Sequence, residues 1–520
     1  MIFILSAKYT EQDLRVEFGK IPPAFLPVGN KRLYHYQIRS IRNKCPDEII
    51  YLTLPATYKL DEQDKLELDF LNIQIVYIDD SFSLGQAIAF CLSSVIPDNA
   101  NSVTLYYGDT LLKDGLSKKE LSNNVIYTAH SEYNYIWLEI PEEGFALKQI
   151  FCGILTVNYP LVLIHCLIAT EFDLSKSIKL YNDKYNFKLE KRNDWLDFGH
   201  LNTFYDSKTI VTTQRAFNEL KITKYYVEKK SHKSRKLEAE ANWFMNIPEN
   251  LIHFTPRLIS TSKKEEYFSY KLDYLYCPTL TEMFVFGNHP SDIWSLIINS
   301  CFNFLRECKK IERQDSCSFY ESLIMKNNKR LNDFLSQNPV YGAPILDDEN
   351  KSYSLIEILE FAHGCINSNQ ITTFVHGDFC FSNILFDFQR NNIKVIDPRG
   401  LDFNDNLSVY GDLRYDLAKL VHSAIGKYDF IVSDRFSIME NNNKIILELP
   451  SQVANISNHI KDEIEKLGYC YREILAITIT LFLSMLPLHY DKPNRQKAFI
   501  ATAIKLYKDL KNDNYSNGRS

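Results

Sequence analysis

Through roughly the first 210 residues, short apolar runs alternate with helical patterns, and this alternation restricts the first half of the chain to few folds. IFILSA, EIIYLTL, IQIVYID and SVTLYYGD read as strands, with LYHYQIRSI and LGQAIAFCLSSV as helices between them. Strand, crossover helix and strand in succession predict a parallel, doubly wound α/β sheet. Ligands of such sheets sit outside the carboxyl ends of the strands, and Asp109 follows the run SVTLYYG at that edge.

The character changes after about residue 211. FNELKITKYYVEKKS reads as an antiparallel hairpin and SRKLEAEANWFMNI as a strongly periodic helix. Later helices are expected at LIIN…FNFLREC, YSLIEILEFAH and YREILAITITLFLSMLP. A chain of 520 residues is too long for one hydrophobic core, so the expected division is 1–210, 211–510 and a disordered tail over 511–520, KNDNYSNGRS.

Composition narrows the partners. A net charge of −6 is small for this length and argues against a general binder of nucleic acid or anionic membranes, which leaves small molecules. The eleven cysteines contain no CxxC pair and are odd in number, which suits reduced thiols and a cytoplasmic location. The opening MIFILSA lacks a basic region and reads as a buried strand rather than a signal peptide. The apolar stretches Ile150 to Thr170 and Ile474 to Leu488 carry polar residues or proline and suit core elements better than membrane spans. Oligomeric state is left open.

The densest chemistry lies in HGDFCFSNILFDFQRNNIKVIDPRG, residues 376 to 400. Phe374-Val375, Ile384-Leu385-Phe386 and Ile393 to Ile396 read as extended pieces, with Asn391-Asn392 as the turn between the last two. Asp378, Asn383 and Asp397 therefore fall at loop and strand ends. A nucleotide-dependent phosphotransferase needs one carboxylate to accept a hydroxyl proton, and a carboxylate and an amide oxygen to hold Mg2+ on the phosphates. These three residues have the right chemistry for those roles.

The order H-G-D-x4-N, then I-D, then YGDLRYDLAKL resembles the aminoglycoside phosphotransferase and choline kinase family over about 300 residues. The resemblance implies a two-lobed, protein-kinase-like α+β fold using ATP and Mg2+. It also implies Asp378 as catalytic base, Asn383 and Asp397 as metal ligands, and Asp416 as a buttress of the catalytic segment. His376 reads as an orienting, hydrogen-bonded histidine. Phosphate pairing requires a lysine held by a helix carboxylate. Lys229 or Lys230 offers the first and Glu238 or Glu240 the second, with Lys229 and Glu240 preferred. YKLDYLYCPTL looks like the link between lobes, where backbone groups would meet adenine. IDPRG and YGDLRYDLA look most like fructosamine and sugar kinases, and Arg399 reads either as a surface arginine or as a contact for an anionic acceptor.

GKIPPAFLPVGNKRLYHYQI, YYGDT and WLDFGHLNTFYDS resemble segments of sugar-1-phosphate nucleotidyltransferases, over about 210 residues. This implies a Rossmann-like nucleotidyltransferase domain, with Asp109 and Asp197 as a two-carboxylate Mg2+ site and a second nucleoside triphosphate, CTP or another, as substrate. His200 either faces substrate or packs in the core. The family's glycine-rich loop is replaced by SAKYTEQDLRVEFG and its lysine by Pro23; Lys8, Arg15, Lys20, Lys31 and Arg32 read either as surface bases or as the source of the missing charge.

Together these features lead us to expect a bifunctional enzyme. It would phosphorylate a small sugar or polyol and transfer a nucleotide to the resulting phosphate, giving an activated precursor for capsule or other surface polysaccharide. The alternatives are a kinase with a degenerate nucleotidyltransferase domain and a non-catalytic two-domain sensor or scaffold.

Overall fold

The computed structural model describes residues 1–96, 102–131, 139–140, 148–211, 219–232, 234–264, 267–313, 319–369, 371–441, 443–450 and 456–517. The chain forms two compact units, one of residues 1–212 with 286–288, the other of residues 213–285 with 289–520.

The first unit is built on a sheet whose parallel centre follows from the apolar runs. Ile2–Leu5 lies between Ile50–Pro55 and Val103–Tyr107, and Ile73–Ile78 extends the parallel set. All four residues of Ile2–Leu5 and all five of Val103–Tyr107 are buried, as expected of strands covered on both faces. The far edge departs from the parallel expectation: Lys148–Val157 joins Val103–Tyr107 antiparallel and carries Val125–Ser131 beyond it. Gly153 sits at a register shift in that long strand with φ +76°, a backbone that disfavours side chains, and a Cβ there would lie 3.1 Å from the Tyr107 ring.

Helix Leu84–Val95 is fixed at its start by a capping box, Ser83 accepting from Gln86 N and Gln86 accepting from Ser83 N. Its residues Ile88 and Leu92 pack with Leu105, Leu155 and Leu163 in the core of this unit. Burying a side chain of that size contributes about 1.5–3 kcal/mol. The carboxyl ends of Ile2–Leu5 and Val103–Tyr107 are tied where Gly108 N donates to Leu5 O at 2.8 Å.

The second unit begins with a four-stranded antiparallel sheet in the order Glu219–Ile222, Tyr226–Ser231, Phe268–Asp273, Leu258–Lys263. The first two strands are the expected hairpin; Phe217 and Asn218 of its expected span lie outside the described residues. Helix Ser234–Met245 packs on this sheet. A helical region follows, with Ser291–Lys309, Phe319–Gln337, Leu355–Gly364, Leu413–Ala424, Tyr471–Met485 and Pro493–Asn517. A small hairpin, Ile384–Asp387 with Asn392–Val395, stands among these helices.

Helix Pro493–Asn517 enters the stretch 511–520 that was expected to be disordered, and this corrects that expectation as far as Asn517. Tyr507 and Leu510 are buried on its face, so packing carries the helix forward into the polar end. Residues 518–520 lie outside the described residues. Among the described residues one helical stretch, Tyr471–His489, is long and apolar enough to cross a membrane, and 67% of its apolar window is buried within the protein.

Candidate functional site

In the second unit, strand pairing brings the phosphate-pairing candidates together. Lys229 stands opposite Tyr270, so both side chains leave the same face of the sheet. They meet the buried Glu240 of helix Ser234–Met245: Lys229 Nζ lies 2.9 Å from Glu240 Oε2, and the Tyr270 hydroxyl donates to the same oxygen at 2.6 Å. Lys229 Nζ also lies 2.5 Å from Asp397 Oδ1. Burial alone would lower the Lys229 ammonium, but the Asp397 and Glu240 carboxylates outweigh it and hold its pKa above the ordinary lysine value. The alternatives lie elsewhere: Lys230 pairs with Glu219, and Glu238 with Lys263.

Asp397 reaches this pair because its loop is pressed on the helix. Gly400, at φ +63°, comes so close to Ala239 that a Cβ there would overlap the Ala239 carbonyl. Asp397 itself has φ +58°, a left-handed backbone that only Gly, Asn and Asp adopt readily.

Asp378 and Asn383 converge around the hairpin. Asn383 Nδ2 donates to the Asp378 carbonyl at 2.9 Å and to Asp378 Oδ2 at 3.0 Å. Lys419, from helix Leu413–Ala424, places Nζ 2.8 Å from Asp378 Oδ1. Burial pushes the Asp378 carboxyl up, but the Lys419 charge and its hydrogen bond more than reverse this, leaving the carboxyl below its usual range. Asp378 thus stays ionised at neutral pH while 40% of its side chain remains exposed to an incoming group.

The segment before Asp378 is braced by Asp416 and His376. Asp416 accepts from His376 N at 2.7 Å and Gly377 N at 2.8 Å. The His376 ring faces the Ile396 carbonyl through Nε2 at 3.0 Å, and its Nδ1 accepts from Asp378 N at 3.3 Å. Burial pushes His376 down to about 4, so the ring is neutral and joins the two loops as an uncharged bridge. Gly377, at φ +79°, leaves room for Arg399, whose Cβ would lie 2.7 Å from a Cβ at 377. Arg399 is half-buried rather than a surface residue, with its guanidinium 4.6 Å from the Phe403 ring centre.

In the first unit, antiparallel pairing of Thr110–Leu112 with Trp195–Asp197 carries Asp197 to the strand end occupied by Asp109. Both carboxylates converge on Gly199, where a Cβ would stand 2.7 Å from Asp109 Oδ2 and 3.3 Å from Asp197 Oδ1. Asp197 accepts from Gly199 N at 2.9 Å, Thr203 Oγ1 at 2.7 Å and the His200 ring at 3.2 Å. Burial first, and then the Asp197 charge, push Asp109 up to about 7. His200 is raised by its hydrogen bond to Asp197. Of the basic candidates nearby, Arg32 is committed to a buried ion pair with Asp64 at 2.7 Å, and Lys8 donates to the Asp80 carbonyl at 2.7 Å.

Among the described residues no group of three or more His, Cys, Asp or Glu is arranged to hold a metal. Each site instead offers two protein oxygens, Asn383 with Asp397 in one unit and Asp109 with Asp197 in the other. Mg2+ is usually held by one or two carboxylates, water and substrate phosphates, and both donor sets fit that chemistry. Crowded carboxylates at Gly199 are the observation that fits a cation in the first unit. In the second, Asn383 donates its amide NH2 to Asp378, and its carbonyl oxygen, which accepts from the Ser382 hydroxyl at 3.3 Å, keeps a second lone pair that suits a cation.

Residues 299–434 match the sequence model of a phosphotransferase enzyme family. The matched span lies within the second unit and contains Asp378, Asn383, Asp397, Asp416 and Lys419. No curated protein matches the chain significantly. Among solved structures, one similar chain is a thermostable mutant of the aminoglycoside phosphotransferase APH(4)-Ia in complex with ADP and hygromycin B. It is 10% identical, with 57% of this chain and 92% of that one covered and a TM-score of 0.35. Another is the nucleoside-diphosphate-sugar pyrophosphorylase from Vibrio cholerae RC9, 14% identical, covering 40% and 99% at a TM-score of 0.32. A third is the inositol-1-phosphate CTP transferase from T. maritima, 13% identical, covering 40% and 94% at a TM-score of 0.31.

Lys419 was not among the site residues expected from the sequence. Its signal was the spacing in RYDLAKL, where it stands three residues after Asp416 and hence on the same helix face.

Proposed function

We propose that the chain is a two-domain transferase acting on small soluble molecules in the cytoplasm. In this reading the second unit transfers the γ-phosphoryl group of ATP to a hydroxyl of a small sugar or polyol. The observation that carries it is the convergence of Asp378, Asn383, Asp397, Lys229 and Glu240 within a unit containing a phosphotransferase-family domain.

Asp378 accepts the proton of the acceptor hydroxyl, whose oxygen bonds to the γ-phosphorus as the bridging P–O bond breaks and ADP departs with the electron pair. Lys229 pairs with the ATP phosphates and is held in place by Glu240. Asn383 and Asp397 would hold Mg2+, which supplies positive charge to the phosphates. His376 and Asp416 keep the Asp378 loop in position.

In the first unit, Asp109 and Asp197 would hold Mg2+ on a second nucleoside triphosphate, CTP or another. Transfer of its nucleotidyl group to the new sugar phosphate releases pyrophosphate and gives an activated precursor for capsule or other surface polysaccharide. Incubating the protein with ATP, CTP and a panel of sugars and polyols should release both ADP and pyrophosphate. ADP without pyrophosphate under any nucleotide would favour a kinase with a degenerate first domain, a reading motivated by SAKYTEQDLRVEFG standing where a glycine-rich loop was expected. Release of neither product would favour a non-catalytic sensor.

A further inference from the structure

Next to Asp378 lies a group of cations with too few anions. Lys326 and Arg330 stand one turn apart on helix Phe319–Gln337, so they share a face. Phe403 gathers the others: Lys326 Nζ lies 5.2 Å from its ring centre and Arg399 Cζ 4.6 Å from it. Tyr415 packs against Phe403 at 5.2 Å between ring centres, and Lys419 Nζ lies 5.9 Å from the Tyr415 ring. Lys419 is satisfied by Asp378. Arg330 donates to the Ser484 carbonyl and Arg399 to the Asp402 carbonyl, so neither charge is met by a carboxylate there. Lys326 makes no hydrogen bond or ion pair among the described residues.

Crowding like charges in a partly desolvated place is unfavourable unless something negative completes it. Burial, together with Arg399, Arg330 and Lys419, pushes the Lys326 ammonium down to about 7, while Asp378 is the carboxylate that acts against this. In the proposed reaction Lys229 on the sheet side takes the ATP phosphates, with Asp397 as a Mg2+ ligand, which leaves these cations for another group. Lys419 contacts Asp378, the Arg399 stem packs beside Gly377, and the Asp378 charge acts on Lys326, so the group adjoins the carboxylate that would meet the acceptor hydroxyl.

We infer that Lys326, Arg330 and Arg399 form a subsite for an anionic group on the acceptor, so that the substrate is a sugar or polyol bearing a carboxylate or a phosphate. The inference rests on the phosphotransferase reading of the second unit. Arginine and lysine serve together here, the planar guanidinium for paired oxygens and the ammonium as a point charge. Phe403 and Tyr415 hold the cationic groups in place through the faces of their rings.

The test uses the full-length protein with ATP and Mg2+, following ADP release with a neutral sugar, the matching uronic acid and the matching sugar phosphate. We expect kcat/KM for one of the two anionic acceptors to exceed that of the neutral sugar by about tenfold or more, and the preferred one distinguishes carboxylate from phosphate. Lys326→Met and Arg330→Met should each remove about ten- to a hundredfold of that advantage through KM, and leave the neutral sugar's kcat/KM and the KM for ATP unchanged. Lys326→Arg should restore most of it, and thermal melting of each variant reports folding separately. Equal or faster turnover of the neutral sugar, or loss of all acceptors alike in folded Lys326→Met, overturns the anionic subsite while the kinase reading stands. Failure to release ADP with any acceptor overturns both.

Discussion

Lys419 Nζ lies 2.8 Å from Asp378 Oδ1, a lysine from one helix neutralising the carboxylate proposed to take the acceptor's proton. The pair makes Asp378 a weaker base than a carboxylate desolvated alone, yet keeps it unprotonated across the neutral range. Removing the lysine therefore changes more than a contact.

In Lys419→Met, the burial that raises the Asp378 pKa is no longer opposed by the neighbouring charge. Because the reaction needs the unprotonated carboxylate, the acid limb of the rate against pH is expected to move to higher pH. A profile of kcat/KM for ADP release between about pH 4.5 and 9 checks this; an unmoved limb would separate Lys419 from the titration of Asp378.

Asp378→Ala is expected to lower ADP release by roughly 10²–10⁴-fold, the usual contribution of a general base. Because the loss also leaves the largely buried Lys419 ammonium without its carboxylate, the melting temperature should fall as well, and Asp378→Asn, which keeps the side chain's shape, should show the same loss of rate. Coupled-enzyme detection of ADP, with circular dichroism on the same samples, distinguishes a chemical defect from a folding one.

Gly199→Ala is expected to abolish pyrophosphate release and spare ADP release. A Cβ at 199 would stand 2.7 Å from Asp109 Oδ2, so the two carboxylates could not keep their approach. Assaying both products on one preparation tests whether the two units carry separable activities.

Asp109 has a folded pKa near 7, well above that of an unfolded aspartate, so between about pH 4 and 7 the folded state binds more protons than the unfolded one. Its contribution to stability is therefore fully present below the unfolded pKa and is lost as pH rises through the folded one. Mn2+ or Mg2+ should raise the melting temperature of the first unit more at pH 8 than at pH 5, and Asp109→Asn should remove that metal effect. Scanning calorimetry with and without chelator gives the comparison.

The parts read correctly from sequence were those whose signal is local. Continuous apolar runs marked Ile2–Leu5 and Ile50–Pro55 and a 3.6-residue period marked Leu84–Val95, because burial on both faces of a strand or along one face of a helix imposes those patterns directly on the residues. The antiparallel course of Lys148–Val157 was not evident, since an apolar run is the same read in either direction and only long-range pairing sets its sense. Lys229 and Glu240 were one of several pairings open to the sequence, and strand register decided among them by setting Lys229 opposite Tyr270. Lys326, Arg330 and Lys419 escaped notice because their importance lies in what faces them, from segments far along the chain.

The positive φ of Asp397 has a bearing on how such a domain can change over generations. Glutamate or alanine at that place would strain the loop, whereas asparagine would settle there with little disturbance while carrying no charge. Drift away from phosphoryl transfer therefore has an easy first step, one that silences the chemistry and leaves a well-folded receptor for the same small molecules.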